Sequence, residues 1–169
     1  MRPLDGIKVL DLSRVLAGPF AGRILHDLGA EVVKVEPPEG DVTRNWGKVR
    51  AGLAGYYTQQ NVGKQNVCID LSVKGGPDIV RQLAARADVL IENFRPGVMQ
   101  KYELGYEDLA QINPKLVMLS ISGFGQDGPE SERAAYAPIL HAESGWLERS
   151  AGWNETSLAD LNLSAADPN

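Results

Sequence analysis

The sequence is poor in the side chains that form disulfides or bind metals, with one cysteine and two histidines in 169 residues. The single thiol of Cys68 excludes an internal disulfide and a thiolate metal cluster. His26 and His141 are too few for a histidine-based metal site, so we expect the chain to hold no metal.

Positive charge and long apolar runs are also lacking. Lysine and arginine number 17 against 22 acidic residues, and this net charge of −5 argues against a nucleic-acid partner, which would require a basic face. A small polyanionic ligand needs only a few local cations and is compatible with this charge. The opening "MRPLDGIKVLDL" does not resemble a signal peptide, and no segment reaches membrane-spanning length. We therefore expect no membrane partner and a cytoplasmic location.

Short apolar runs predict a set of buried strands. The composition is 43% hydrophobic with 18 glycines, which is ordinary for one globular domain. A weaker run, "NVCIDL" (66–71), has alternating apolar residues and predicts a fifth strand. The four stronger runs, rich in β-branched residues and ending in polar or glycine residues, are "IKVLDLS" (7–13), "EVVKVE" (31–36), "DVLIENF" (88–94) and "LVMLSISGFG" (116–125).

Helical patterns lie between these strands. The first is predicted to begin at Pro19 and to end at Gly29, with apolar residues such as Phe20 and Ile24 at helical spacing. A second begins near Pro77, and a third is the short segment "YEDLAQI". Strands that alternate with helices predict an α/β fold, in which a parallel sheet carries helices on both faces.

The loop "LSRVLAGP" (12–19) leaves the first strand and opens the first helix, which is a place where parallel sheets bind anions. Glu36, at the end of the second strand, stands where a dinucleotide-binding protein has its ribose-binding acid. The glycines do not fit that reading, because Gly18 and Gly22 are spaced G-x-x-x-G, and no Walker sequence is present. Either Gly18 and Pro19 only shape a turn, or the loop binds a ligand other than a dinucleotide.

Two segments lack a simple pattern. The connection 37–65 is glycine-rich and polar, and it is too long for a plain loop, so we expect it to be functional or partly helical. The last 24 residues (146–169) show little periodicity and are rich in serine, asparagine and aspartate. We expect them to be loop-rich and the chain to be part of a longer protein.

Several motifs occur in an order and spacing that is highly specific, although each is modest alone. Together they resemble the family III CoA-transferases, the carnitine and bile-acid CoA-transferase family, from residue 4 to about residue 145. The motifs are "LAGP" (16–19), "GAEVVKVE" (29–36), "ENFRPG" (92–97), "NPKLV" (113–117) and "SGFGQDGP" (122–129).

The resemblance implies a Rossmann-like domain that binds coenzyme A (CoA), and it agrees with the sheet predicted from periodicity. On this basis we assign residues 1–150 to the N-terminal part of that domain and residues 151–169 to a loop-rich segment that leads to the remainder. The resemblance also implies that the full-length form is an interlocked homodimer, with an acyl-CoA and a carboxylic acid as substrates.

The resemblance assigns CoA contacts to several positions. Apolar side chains suit the adenine and pantetheine parts, and cations suit the phosphates. The family often has a basic residue directly after "KVE", but Pro37 stands there, and Arg44 is a candidate substitute. The positions that match the family's CoA-contacting motifs are Val15, Leu16, Ala17, Leu71, Lys74, Asn93, Phe94, Lys101 and Tyr136. The candidate phosphate ligands are Arg44, Lys74, Arg95 and Lys101.

The transferases of this family use an aspartate nucleophile. Its carboxylate forms a mixed anhydride with the acyl group, and the released CoA then forms an aspartyl-CoA thioester that the acceptor acid resolves. Asp167 has the expected distance along the chain from Tyr136, and Asp160 has the expected local motif but comes early. The resemblance therefore leads us to expect a nucleophile that is one of these two residues or that lies beyond Asn169.

Two alternatives remain from the sequence. The racemase branch of the family uses a histidine where Tyr136 stands, and His141 is five residues further on, so a helix would point it elsewhere. A tyrosine at this position resembles the transferases. The other alternative is an inactive, truncated CoA-binding module.

Overall fold

The computed structural model describes residues 1–154, which form an α/β fold. The strands are β1 (Lys8–Asp11), β2 (Glu31–Glu36), β3 (Val49–Arg50), β4 (Leu53–Ala54), β5 (Gln65–Cys68), β6 (Val89–Glu92) and β7 (Val117–Ser120). The helices are α1 (Ala17–Asp27), α2 (Gly55–Asn61), α3 (Gly76–Ala84), α4 (Val98–Lys101), α5 (Tyr106–Ile112), α6 (Ala137–Glu143) and α7 (Trp146–Asn154), with a 3-10 helix at Val42–Asn45.

Five strands form one parallel sheet in the order β5-β2-β1-β6-β7. These are the four strong strands and the weak fifth that the sequence predicts. β1 lies at the centre, and Leu10 is in register with Val33 of β2 and Leu90 of β6. The chain first builds outward on one side of β1 and then on the other, which is the Rossmann-like order. The carboxyl ends of all five strands therefore meet at one edge.

Each face of the sheet has its own apolar core, because successive strand residues point to opposite sides. Leu10 and Leu90 pack with Val80 of α3 and Leu109 of α5 on one face. On the other face, Val9 packs in a smaller cluster to which α1 contributes partly buried side chains. Burying each such side chain stabilises the fold by roughly 1.5–3 kcal/mol. The prediction of helices on both faces is confirmed.

Helix α1 begins at Ala17, two residues before the predicted start at Pro19. Its N-cap residue, Leu16, has no side-chain hydrogen bond to the first turn, so the sequence carries no capping signal there. Phe20 and Ile24 lie on the exposed side, with 52% and 44% of their surfaces accessible. The predicted end is confirmed, since Gly29 follows the helix at φ 118°.

The connection between β2 and β5 is partly helical, as predicted. It contains the 3-10 helix, the two-stranded antiparallel pair β3–β4, and helix α2. The side chain of Asp41 caps the 3-10 helix by accepting a hydrogen bond from the backbone N–H of Thr43.

Helix α7 corrects the prediction for the first part of the last 24 residues. Trp146–Asn154 is helical, with Glu148 in the first turn, where a negative charge favours a helix. The ring of Trp146 also stacks on His141 at 5.8 Å, which fixes the helix against α6. The predicted division between residues 150 and 151 falls inside this helix, and the domain assignment itself stays a prediction.

Candidate functional site

A pocket of about 630 Å³ opens at the edge of the sheet where the parallel strands end. Its walls include the end of β2 and residues that follow β1, β2 and β5, together with Phe94 after β6 and Tyr136 before α6. Open parallel sheets bind their ligands at this edge, and the volume is typical of a small-molecule site. The pocket is therefore the first candidate for a functional site.

Side chains of β1, of β2 and of the residue after β6 hold the backbone of the loop that follows β1. Asp11 accepts a hydrogen bond from the N–H of Ser13 at 2.9 Å, and Lys34 donates one to the carbonyl oxygen of Ser13 at 2.6 Å. The amide of Asn93 accepts from the N–H of Arg14 and donates to its carbonyl oxygen, both at 2.8 Å. These contacts fix the shape of one pocket wall.

The glycines of the G-x-x-x-G pattern allow helix α1 to approach the end of β1. A β-carbon on Gly18 would lie 2.2 Å from Cβ of Ser13, and one on Gly22 would lie 2.8 Å from Oδ2 of Asp11. Neither distance is tolerated by real side chains. The spacing that fails as a dinucleotide fingerprint therefore serves close packing behind the loop.

Behind the loop, Asp11 and Lys64 form a buried ion pair. Their side chains are 2.7 Å apart and almost completely inaccessible. Lys64 also donates to the carbonyl oxygen of Pro19 at 2.8 Å and to Oδ1 of Asn61 at 2.9 Å. Burial lowers the pKa of Lys64, and the carboxylate of Asp11 opposes that effect. The pair joins β1, α1 and the end of α2.

A second buried pair, Lys34 and Asp41, lies directly at the pocket wall. Nζ of Lys34 is 3.3 Å from Oδ2 of Asp41, and each side chain is 1% exposed. Asp41 also accepts a hydrogen bond from the backbone N–H of Val15 at 3.1 Å. This pair therefore connects β2, the long connection and the loop after β1.

Glu36, at the end of β2, is enclosed by hydrogen-bond donors. Arg44 donates to both of its oxygens at 2.6 and 2.8 Å, and Tyr57 donates at 2.5 Å. Further donors are Asn66 and the backbone N–H of Asp41. Burial alone would raise the pKa of Glu36, but the hydrogen bonds from Arg44 and Tyr57 hold it at about 2. Burial also raises the pKa of Tyr57, and the carboxylate beside it adds to that effect.

A model of the family described as CoA-transferase family III matches residues 4–167. The chain belongs to CoA-transferase family III. Human succinyl-CoA:glutarate CoA-transferase is 47% identical over 149 residues, which cover 87% of this chain and 34% of that protein. The acetyl-CoA:oxalate CoA-transferase of Acetobacter aceti is 46% identical over 168 residues, which cover 94% of this chain and 43% of that protein.

A solved structure shares the fold of this chain. A crystal structure of the protein Rv3272 from Mycobacterium tuberculosis has 38% sequence identity and a TM-score of 0.87, covering 97% of this chain and 46% of that one. The chain thus spans less than half the length of these three relatives.

In this family III chain, four of the residues predicted to contact CoA line the pocket, namely Val15, Leu71, Phe94 and Tyr136. The structure brings them together from four separate stretches of sequence. Three other predicted residues, Leu16, Ala17 and Asn93, lie outside the pocket lining. Asn93 is 1% exposed and holds the backbone of Arg14. Contact with CoA stays a prediction for all of these residues.

The predicted phosphate ligands fall into two groups. Arg44 lies outside the pocket lining, because two of its guanidinium nitrogens bind Glu36 and its charge sits 4.0 Å over the ring of Tyr57. Lys74, Arg95 and Lys101 are exposed. Within residues 1–153, these three form no ion pair and are adjacent or near in sequence to residues that line the pocket.

The hydrogen bonds to the carboxylate of Glu36 argue against the hypothesis that this chain binds a redox dinucleotide. A ribose-binding acid must accept hydrogen bonds from the ligand, whereas five donors of the protein already reach the two oxygens of Glu36. The acid at the end of β2 is a structural link between the sheet and the long connection.

The predicted nucleophiles, Asp160 and Asp167, lie outside the described residues. The racemase alternative receives no support from the residues the structure does describe. Tyr136 faces the pocket, while His141 is 2% exposed and stacks on Trp146.

The residues that sequence reasoning missed are the buried charges Asp11, Lys34, Asp41 and Lys64. A signal exists for Lys34, which interrupts the apolar run "EVVKVE" and must therefore find a partner if the strand is buried. A signal also exists for Asp41, because "DVT" is typical of a capped turn. Their pairing follows from topology and is not visible in local sequence.

Neither a metal site nor a membrane-spanning helix is seen in the part of the chain that the structure describes. No group of three or more histidine, cysteine, aspartate or glutamate side chains in residues 1–153 is arranged to hold a metal ion. None of the helices described is long and apolar enough to cross a membrane.

Proposed function

We propose that this protein moves CoA from an acyl-CoA to a free carboxylic acid. The observation that carries the proposal is the match to CoA-transferase family III over residues 4–167, together with the pocket at the carboxyl edge of the sheet. The cytoplasmic location and the interlocked homodimer of the full-length form belong to the same proposal.

The residues around the pocket suit the parts of CoA. Val15, Leu71 and Phe94 offer apolar contact for the pantetheine arm. Lys101 lies beside Tyr102, a residue of the pocket wall, and Arg95 directly follows Phe94. Exposed cations next in sequence to apolar residues of the pocket wall suit a ligand that has phosphates at one end and an uncharged arm at the other.

We assign the acceptor to the short dicarboxylic acids. The human and Acetobacter relatives are named for glutarate and oxalate, and both are 46–47% identical to this chain. Succinyl-CoA and glutarate are therefore the first substrate pair to test.

The proposed reaction uses an aspartate carboxylate, with Asp167 and Asp160 as candidates. The carboxylate attacks the thioester carbonyl and expels CoA thiolate. The aspartate and the acyl group are then joined as a mixed anhydride. The thiolate then attacks the aspartyl carbonyl, and the donor acid leaves with one aspartate oxygen. The acceptor carboxylate attacks the aspartyl-CoA thioester and expels CoA thiolate, which leaves an anhydride of the aspartate and the acceptor. The thiolate then attacks the acceptor's carbonyl in this anhydride, and the aspartate carboxylate is released.

Asp41, an aspartate in the pocket wall, is a poor candidate for this role. Asp41 accepts hydrogen bonds from Thr43 and Val15 and pairs with Lys34. Asp70 differs from Asp41, because it accepts from the N–H and the hydroxyl of Ser72 on Oδ1 alone, at 2.8 and 2.6 Å. A carboxylate with donors on both oxygens is a weak nucleophile, which argues against Asp41.

Oxygen labelling tests both the activity and the mechanism. The protein is incubated with succinyl-CoA and ¹⁸O-labelled glutarate, and the products are resolved by mass spectrometry. We expect glutaryl-CoA, and after the first turnover we expect ¹⁸O in the released succinate, because the enzyme carboxylate carries it from acceptor to donor acid. Glutaryl-CoA with unlabelled succinate would refute the aspartate route.

Variants and a deuterium control separate the alternatives. Asp167→Asn and Asp160→Asn are compared, and loss of exchange with retained CoA binding identifies the nucleophile. If both variants remain active, the nucleophile lies beyond Asn169. Deuterium uptake at the α-carbon without acid exchange would select the racemase. CoA binding with neither CoA transfer nor deuterium uptake would indicate an inactive CoA-binding module.

A further inference from the structure

Val15 has a backbone conformation that its side chain disfavours. Its φ is 70°, which is the left-handed region, and a β-branched side chain makes that region costly. The residue is 4% exposed and lies in the pocket wall. A conformation of this kind persists only where surrounding groups impose it.

Asp41 is placed to impose it. Oδ2 of Asp41 accepts a hydrogen bond from the backbone N–H of Val15 at 3.1 Å, and it lies 3.3 Å from Nζ of Lys34. Lys34 in turn donates to the carbonyl oxygen of Ser13 at 2.6 Å. The two charged side chains thus bind the two successive peptide groups that flank Arg14.

We infer that Asp41, oriented by Lys34, is a positioning residue that holds Val15 in the left-handed conformation and so shapes the pocket wall against which the substrate CoA binds. The inference rests on the proposed function for the identity of the ligand. The conformation of Val15 can be measured without any ligand.

The negative charge of Asp41 is essential to this role. Its Oδ1 accepts from the N–H and the hydroxyl of Thr43 at 3.0 and 2.7 Å, and its Oδ2 faces the N–H of Val15 and the ammonium of Lys34. Donors therefore face both oxygens. In Asp41→Asn the amide group must turn its NH₂ toward one pair of donors, whichever way it is oriented. The variant keeps the shape of the side chain at position 41 but has one acceptor oxygen in place of two.

The first measurement is binding of CoA by calorimetry in four proteins: the wild type, Asp41→Asn, Val15→Gly and the double variant. Glycine adopts a φ of 70° without penalty. We expect Asp41→Asn to weaken CoA binding by about tenfold or more in the wild-type background, the size expected for a lost charged hydrogen bond. In the Val15→Gly background we expect the same change to weaken binding by less than about threefold.

A purely structural role for Asp41 would give the same fold-change in both backgrounds, and that result would overturn the inference. Unchanged CoA affinity in Asp41→Asn would also overturn it. If Asp41→Asn fails to fold, the added Val15→Gly change is expected to restore folding. A double variant that also fails to fold would count against the inference.

The second measurement is the carbon chemical shifts of Val15 in valine-labelled protein, which report its backbone conformation. We expect left-handed values in the wild type and a loss of these values in Asp41→Asn. If the wild type shows them but binds no CoA, the proposed function fails and the positioning role stands. If the wild-type shifts are not left-handed, the positioning role fails whatever the protein binds.

Discussion

The carboxylate of Glu36 makes the stability of this protein depend on pH in a calculable way. Its pKa falls from an ordinary value of 4.5 to about 2 in the folded protein. A group with a lowered folded pKa stabilises the fold fully above its unfolded pKa, and that contribution is lost as the pH falls through the folded pKa. The stabilising contribution of Glu36 is therefore lost as the pH falls from 4.5 to about 2.

The magnitude follows from the same two values. At about 1.4 kcal/mol for each pKa unit, a drop from 4.5 to about 2 corresponds to roughly 3 kcal/mol of unfolding free energy. Glu36→Gln removes the titrating group and leaves Arg44 without its charged partner. We expect the variant to lose about 3 kcal/mol at pH 7, in the range found when one partner of a buried pair is removed.

Chemical denaturation at pH 7, 4 and 3 tests this reasoning. The difference in unfolding free energy between the wild type and Glu36→Gln should shrink as the pH falls below 4.5, because the wild type loses the contribution that the variant already lacks. Glu31→Gln is the matched control, since Glu31 begins the same strand and is exposed. A difference that stays constant from pH 7 to pH 3 would refute the assignment of the acid response to Glu36.

Three further changes test the packing and the charges around the pocket. Gly18→Ala should cost about 1–3 kcal/mol in chemical denaturation because its new β-carbon would overlap the loop, whereas Gly152→Ala, in helix α7 with open space around it, should stabilise by up to about 1 kcal/mol. Lys64→Met should cost about 3–5 kcal/mol, since it leaves a buried carboxylate without its cation; a loss under about 1 kcal/mol would contradict a charged pair. Lys101→Ala should weaken CoA binding several-fold at low salt and less at high salt, while Lys115→Ala, at the opposite edge of the sheet, should leave affinity unchanged.

Much of the fold follows from local sequence because the strands are short, buried and rich in β-branched residues. "EVVKVE" and "DVLIENF" predict β2 and β6 without knowledge of their neighbours. The start of α1 was misplaced for a local reason, since Leu16 offers no capping side chain and Pro19 is a stronger signal two residues later. Helix α7 was missed because its apolar residues show little periodicity.

The candidate site was predictable only in part, and the reason is distance along the chain. Val15, Leu71 and Phe94 belong to family motifs and line the pocket. Asn93 lies in the same motif as Phe94, "ENFRPG", but its amide binds the backbone of Arg14, 79 residues away in sequence. Such a contact depends on β1 and β6 being neighbours, which no local pattern reveals.

The first loop of this family III chain has a valine in a backbone conformation that favours glycine. A glycine at position 15 would adopt the left-handed conformation freely, but it would leave no side chain in the pocket wall. Val15 supplies that apolar wall and accepts backbone strain, which the Lys34–Asp41 pair offsets from one side of the loop. Both charges lose hydration when they are buried, so the arrangement is not the most stable one available. It makes sense only if the shape of the wall at Val15 matters to what the pocket holds, because a glycine turn would otherwise be the simpler solution.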